Sequence, residues 1–253
     1  MIVTFLGTGT SQGVPVIGCS CEVCRSIDFK DKRTRSSIHL ELKGKSFTID
    51  CGPDFREQML REEISRLDAI IYTHEHRDHT AGLDEVRSFN FKQKQDMPLY
   101  GEARVLNQLK EEFSYIFQDN QYPGLPKVDC REIDTNPFIV NGINFTPIRV
   151  MHYKLPILGF RVNDFTYITD AKSIITEEKE KIKGSKVLVL NALQTAPHIS
   201  HFTLNEALAL IEELQPETAY LTHISHNLGK SRNVATSLPP NVHLAHDGLK
   251  LTL

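Results

Sequence analysis

Short apolar runs, broken by glycine, proline and charged residues, recur along the chain and alternate with a few stretches of helical spacing. Residues 2–6, Ile-Val-Thr-Phe-Leu, predict a strand that runs into a glycine-rich loop, Gly7-Thr8-Gly9-Thr10-Ser11-Gln12-Gly13. Residues 37–42 and 46–49 flank Lys43-Gly44-Lys45 and predict a hairpin. Apolar runs at 68–73, 143–150, 158–162, 165–169, 187–190 and 218–222 predict further strands. Helical spacing appears at 55–64, with Asp54 as the N-cap after Pro53, and at 103–117 through Val105, Leu106, Leu109, Phe113 and Ile116. Thr203-Leu204-Asn205-Glu206 is a capping box that opens a helix running to Leu214. Strands interleaved with helices define an α/β class. No Gly/Ser-rich or charged linker divides the chain, so one domain over 1–253 is expected. An insertion is expected around 87–133, where aromatic and polar residues gather and Tyr122-Pro123-Gly124 marks a turn.

Composition narrows the class. The chain has 253 residues, 40% hydrophobic and 24% charged, enough to bury a core and to exclude disorder as the default. It carries 29 Lys+Arg against 32 Asp+Glu, a net charge of −3, which argues against a mainly electrostatic nucleic-acid binder. Its apolar runs, such as Val187-Leu188-Val189-Leu190, are too short to span a membrane. The N-terminal residues lack the basic start and long apolar stretch of a signal peptide. A soluble cytoplasmic protein is expected. Eleven histidines, no tryptophan and five cysteines form an unusual mixture. Cys19, Cys21 and Cys24 lie close together, which suits metal binding better than a disulfide framework.

The densest chemistry is Thr73-His74-Glu75-His76-Arg77-Asp78-His79, directly after an apolar run. In an extended segment residues two apart face one side, so His74 and His76 can chelate one ion. If the chain then turns into a helix, Asp78 and His79 can face a second. Imidazole and carboxylate ligands suit Zn²⁺, Mn²⁺ or Fe²⁺. Three other expected strands also end in residues able to bind metal: His152 after 143–150, Asp170 after 165–169 and His223 after 218–222. Strand ends along one sheet edge are where α/β proteins commonly build sites.

These residues resemble the metallo-β-lactamase hydrolase superfamily, whose hallmark is His-x-His-x-Asp-His followed by separate His, Asp and His ligands. The resemblance implies a four-layer αβ/βα sandwich with two metals, zinc or manganese, at one edge. It implies that His74, His76 and His152 hold the first metal, that Asp78, His79 and His223 hold the second, and that Asp170 bridges them. Asp50, in Ile49-Asp50-Cys51-Gly52, matches the strand-end aspartate that supports the histidine loop from behind. Cys19, Cys21 and Cys24 need a fourth ligand to close a tetrahedral structural zinc, and His226 is the natural partner.

Cys-x-Cys-x-x-Cys, Ser-His-Phe-Thr at 200–203 and Leu-Thr-His-Ile-Ser-His at 221–226 together look like the PhnP-type phosphoribosyl cyclic phosphate phosphodiesterases. That resemblance implies a catalytic His201, with Asp78 orienting the nucleophile. The expected activity is metal-dependent hydrolysis of a small cyclic phosphate or nucleotide-like phosphodiester by a metal-bridging hydroxide. The expected partners are a small phosphodiester, no membrane and no nucleic acid, with a homodimer allowed. Two rivals stand beside this reading. A tRNA 3′-processing endonuclease shares the first motif but needs a basic arm, and a non-catalytic metal or ligand sensor would usually have lost part of the ligand set. The Gly7–Ser11 loop is either a source of backbone donors for phosphate or a simple turn. His39 is expected on a solvated strand face, His198 at the surface, and Cys51 and Cys130 in the core.

Overall fold

Runs of buried residues such as Ala69-Ile70-Ile71 and Val187-Leu188-Val189-Leu190 become inner strands of two sheets. The computed structural model describes residues 1–118 and 122–253; three residues of the expected 87–133 insertion, 119–121, lie outside them. Two compact units are described in turn, residues 1–6, 37–134 and 248–253, and residues 7–36 and 135–247.

The first unit holds β1 (Ile2–Gly7), β2 (Ser37–Leu42), β3 (Lys45–Ile49), β4 (Ala69–Ile71), β5 (Met97–Gly101) and β6 (Val128–Glu132). With the C-terminal strand Lys250–Thr252 outside β1, they follow chain order across the sheet. The β2–β3 hairpin is antiparallel, and β3 to β6 run parallel. Parallel neighbours need crossovers, and helices supply them. These are α1 (Phe55–Arg61), the short α2 (Arg77–Thr80), α3 (Arg87–Gln93) and α4 (Ala103–Glu112). Phe55, Leu67, Ile70, Tyr72, Leu83, Leu99, Val105 and Leu109 form the core of this unit.

The second unit holds β7 (Phe138–Val140), β8 (Ile143–His152), β9 (Leu155–Val162), β10 (Phe165–Ile168), β11 (Val187–Asn191), β12 (Thr218–Thr222) and β13 (Val242–Leu244), again side by side in chain order. β7 to β10 pair antiparallel and β10 to β13 parallel. Its helices are α5 (Thr176–Ile182), α6 (Leu204–Leu214) and α7 (Ser231–Ala235). The expected capping box opens α6: Thr203 accepts from the Glu206 amide, and the Glu206 carboxylate accepts from the Thr203 amide. Leu204, Ala207, Leu210, Ile211 and Leu214 recur at helical spacing on its buried face, in the core with Leu188, Leu190 and Leu221. Among the described residues no helix is long and apolar enough to cross a membrane.

Residues 87–133, expected as an insertion, include β5 and β6 of the first sheet. Three expectations need correction. The helix expected over 55–64 ends at Arg61, and Asp54 makes no side-chain cap bond to it. The helix expected over 103–117 ends at Glu112, with a separate 3-10 turn at Ser114–Ile116. His39 is buried rather than solvated. Ser46 Oγ donates to the Arg66 carbonyl at 2.6 Å, so its contact of 2.7 Å with His39 Nε2 is donated by the ring.

Burial, with Lys250 adding to it, pushes the His39 imidazole down to about 4. A base whose folded value lies below its ordinary 6.5 binds protons more readily when unfolded. Its contribution to stability is therefore full above pH 6.5 and is lost as pH falls from 6.5 toward 4. The loss is of order 3 kcal/mol by pH 4. Urea unfolding at pH 7, 5.5 and 4.5 should show a steeper acid loss in the native chain than in His39→Gln; parallel losses would assign the acid sensitivity elsewhere.

Candidate metal centres

In the first unit the ligand loop begins where β4 ends. Asp50, just past β3, has φ of 67°, a left-handed conformation that costs an ordinary residue energy and that recurs at functional positions. From there its carboxylate supports the loop. It accepts the Thr73 amide at 2.8 Å, the Thr73 hydroxyl at 2.9 Å, and a contact of 2.7 Å from His79 Nδ1. Burial pushes the Asp50 carboxyl up, and His79 and Thr73 pull it back toward the ionised form. With Nδ1 of His79 held, Nε2 is the nitrogen that could ligate a metal, 3.2 Å from Asp78 Oδ2. His74 Nε2 lies 3.0 Å from His76 Nδ1, and the His74 and His79 rings are 4.2 Å apart. His74, His76, Asp78 and His79 thus converge as the spacing requires, and the turn after His76 is α2.

The loop returns tightly to the sheet. The Cys51 amide donates to the His79 carbonyl, and the Gly82 amide to the Cys51 carbonyl. A Cβ on Gly82 would sit 2.2 Å from the Gly52 carbonyl oxygen and 2.7 Å from Phe55 Cβ, so only glycine permits this approach.

The second unit gathers the remaining candidate ligands at strand ends. His152 ends β8, Asp170 follows β10 at φ of 58°, and His223 follows β12 at φ of 53°. Donor atoms of His152, Asp170 and His201 lie within 4.8 Å of one another. His223 Nδ1 is 3.1 Å from Asp170 Oδ1, and His201 Nε2 is 3.1 Å from His223 Nε2 and 3.4 Å from Asp170 Oδ2. Thr169 donates its hydroxyl to Asp170. Burial, reinforced by His223, pushes His201 down to about 3, and Asp170 opposes that shift. His198 is half-buried and hydrogen-bonded near His201, closer in than the surface position expected for it.

Sequence reasoning passed over three side chains that orient these ligands. Thr73 is one. Asn191, at the end of β11, accepts from the Ala171 amide at 2.8 Å and donates to its carbonyl at 3.0 Å, pinning the backbone just past Asp170. Ser200 is the third. Its carbonyl lies 2.9 Å from His152 Nδ1, and its hydroxyl lies 3.0 Å from His201 Nδ1 and 3.3 Å from His198 Nδ1. Asn191 ends a strand in the same way as the ligands, so the strand-end rule had a signal for it.

A separate cluster lies in the 7–36 segment of the second unit. Cys19, Cys21 and Cys24 place their sulfurs 3.3, 3.5 and 3.4 Å from His226 Nδ1. The Cys24 amide donates to Cys21 Sγ and helps bring that thiol down to about 6, whereas burial pushes Cys24 up to about 11. Three sulfurs and one imidazole nitrogen within 4.8 Å of each other match a closed tetrahedral zinc site in donor type and number. The glycine-rich loop is largely committed to the protein: the Gly9, Thr10 and Gly13 amides donate to the Thr34, Ile224 and Thr10 carbonyls. It packs against the strand end that carries His223.

Closely facing imidazoles and carboxylates fit divalent cations, which relieve the crowding of lone pairs and charge that such clusters otherwise carry. A model of the beta-lactamase superfamily domain matches residues 45–224, and the chain belongs to that superfamily, with its metallo-β-lactamase αβ/βα fold. A crystal structure of a diphosphatase from the PhnP family is 40% identical, with a TM-score of 0.94 over 100% of this chain and 97% of that one. A Porphyromonas gingivalis protein named octanoyltransferase is 40% identical over 248 residues, 97% of this chain and 50% of that protein. Human short-form tRNase Z is 20% identical with a TM-score of 0.70 over 100% of this chain and 99% of that one, a likeness of fold alone. The chain spans about half the length, or less, of the curated relatives it matches. The expected superfamily and the PhnP-type likeness both hold.

Proposed function

We propose that the chain is a dinuclear metal-dependent phosphodiesterase that hydrolyses a small cyclic phosphate or nucleotide-like phosphodiester in the cytoplasm. The observation that carries this reading is the presence of every ligand type of the superfamily, each at a strand end or in the α2 loop, with His79, His152 and His201 held by Asp50 and Ser200. Following the resemblance, His74, His76 and His152 serve one cation, Asp78, His79 and His223 the other, and Asp170 both, with residues 1–253 acting as one catalytic domain. Cys19, Cys21, Cys24 and His226 serve a third, structural zinc. The PhnP-family relative supports a phosphoric ester substrate. The octanoyltransferase name belongs to a protein of which this chain matches half, and it contributes nothing to the reading.

When bound, the two cations supply Lewis acidity to the phosphate and lower the pKa of a water nucleophile. The chain's own residues do the rest. Asp50 and Thr73 fix the histidine loop, so that little reorganisation is needed on binding. Ser200 sets the ring of His201, whose Nε2 is aimed at the Asp170 and His223 side of the cluster; as a neutral imidazole it can donate an N–H hydrogen bond from Nε2 to the departing oxygen. Asp78, beside His79, orients the nucleophile. The net charge of −3 favours a small diester over tRNA.

A chromogenic phosphodiester, a 2′,3′-cyclic nucleotide, a phosphoribosyl cyclic phosphate and a pre-tRNA, assayed side by side with Mn²⁺ or Zn²⁺, rank these substrates. Turnover of the small diesters well above that of pre-tRNA is expected. Preference for pre-tRNA would select the endonuclease instead, and no turnover of any would select a sensor.

A further inference from the structure

The ligand loop alternates. His74, His76 and Asp78 are the ligands, and Glu75 and Arg77 lie between them. In the extended stretch before α2 this alternation turns Glu75 away from the ligand face. Glu75 is nevertheless engaged. Arg104, in the first turn of α4, donates through Nη1 to Glu75 Oε2 and through Nη2 to Glu102 Oε2 at 3.2 Å. All three side chains are largely withdrawn from solvent, at 31% exposure for Arg104, 22% for Glu75 and 16% for Glu102. At the other end of the same helix Glu112 faces Arg77, 3.8 Å away. Both residues between the ligands therefore point to α4, one to each end of it.

The helix is a fixed reference. Val105, Leu106 and Leu109 bury its apolar face in the core of the first unit, and Glu102 directly follows β5. β5 lies beside β4, and the Tyr72 amide donates to the Tyr100 carbonyl, so the loop and the helix leave neighbouring strands at the same level. Asp50 holds the loop from the strand side. On that side Thr73 Oγ1 lies 2.9 Å from His74 Nδ1, and the charged pair ties the opposite face of the stretch 74–76 to α4.

We infer that the Glu75–Arg104 pair is a brace that sets the register of His74 and His76. Glu75 and Arg104 are positioning residues of the proposed metal centre, and the inference rests on that reading. Arg104 is suited to this because its planar fork reaches two carboxylates at once, whereas a lysine presents a single point charge. Residues that orient ligands in this way typically contribute about 10–100-fold to metal affinity when removed.

Cobalt titration of the metal-free chain, followed by visible d–d absorption, reads the centre directly. Glu75→Gln and Arg104→Met should each weaken uptake at the nitrogen and oxygen ligands by about 10–100-fold, and Arg104→Lys should recover part of the loss. The double variant should be no worse than the poorer single one, because one interaction has been removed in each case. The near-ultraviolet thiolate band of the cysteine site should stay unchanged, and so should the far-ultraviolet circular dichroism, which separates the brace from a general loss of fold. Unchanged cobalt affinity in the variants, beside normal uptake in the native chain, overturns the brace. Weaker substrate binding with unchanged cobalt affinity also overturns it, and makes Arg104 a substrate contact. Cobalt uptake limited to the one ion that gives the thiolate band, with no further ion bound in the native chain, overturns the metal-centre reading, and the brace with it.

Discussion

Replacing Asp170 with asparagine is expected to lower phosphodiester turnover roughly 10³-fold, the scale of losing one preorganised charge at a reacting phosphate. Asp170 is 2% exposed and faces His223 and His201 at 3.1 and 3.4 Å. Its backbone is left-handed, and asparagine is among the few residues that tolerate this conformation. The substitution keeps the shape, the φ angle and one hydrogen-bond acceptor. It removes the charge. Metal content at the catalytic centre should fall with activity, while the melting temperature changes little. Unchanged metal content with a lower melting temperature would instead make Asp170 a structural partner of the two histidines.

Replacing Cys24 with serine should have the largest effect on stability. The 7–36 segment contains little regular structure beyond a short 3-10 turn at Phe29–Asp31. Its own apolar cluster is small, with Val14, Val23 and Cys24 buried and Val16, Cys19 and Cys21 partly so. So few apolar side chains leave the segment reliant on polar ties, such as Arg33 to the Ala245 carbonyl and Asp31 to the Ser231 amide, and on any further cross-link. With the proposed zinc bound, the cysteine and histidine cluster would add one by joining the segment to His226, three residues past the proposed ligand His223. Loss of the ion should cost about 3 kcal/mol, or roughly 10 °C in melting temperature for a chain of this size. Zinc content should fall by one ion per chain. Residual turnover at low temperature should survive, because none of these four residues serves the catalytic cations. A melting temperature and zinc content equal to those of the native chain would remove the structural zinc from the reading.

Much of this architecture was legible beforehand. The apolar runs named most of the inner strands, and the capping box named the start of α6 to the residue, because burial and capping leave local patterns. The α2 loop was legible for a different reason: its ligands are dense and their spacing has a geometric meaning. What escaped was set by tertiary context. β5 carries Pro98 within a short run, a residue that usually argues against a strand. His39 alternates with polar neighbours, yet it is buried and bonded to Ser46, which in turn is held by the Arg66 carbonyl. The pairing of Glu75 with Arg104 joins residues of the histidine loop and of α4 that no local pattern connects. Thr73, Asn191 and Ser200 act through hydrogen bonds to partners distant in sequence or to single neighbours, which leave no periodicity to read.

Reconstitution tests the central claim most directly. The chain is stripped with a chelator, and hydrolysis of a chromogenic phosphodiester is followed as Mn²⁺ or Zn²⁺ is returned, with metal content measured in parallel. Turnover should be absent in the stripped protein and should rise with the catalytic cations, reaching its plateau near three ions per chain once the cysteine site is counted. A chain that regains its full complement of metal and still leaves the diester intact would contradict the phosphodiesterase reading.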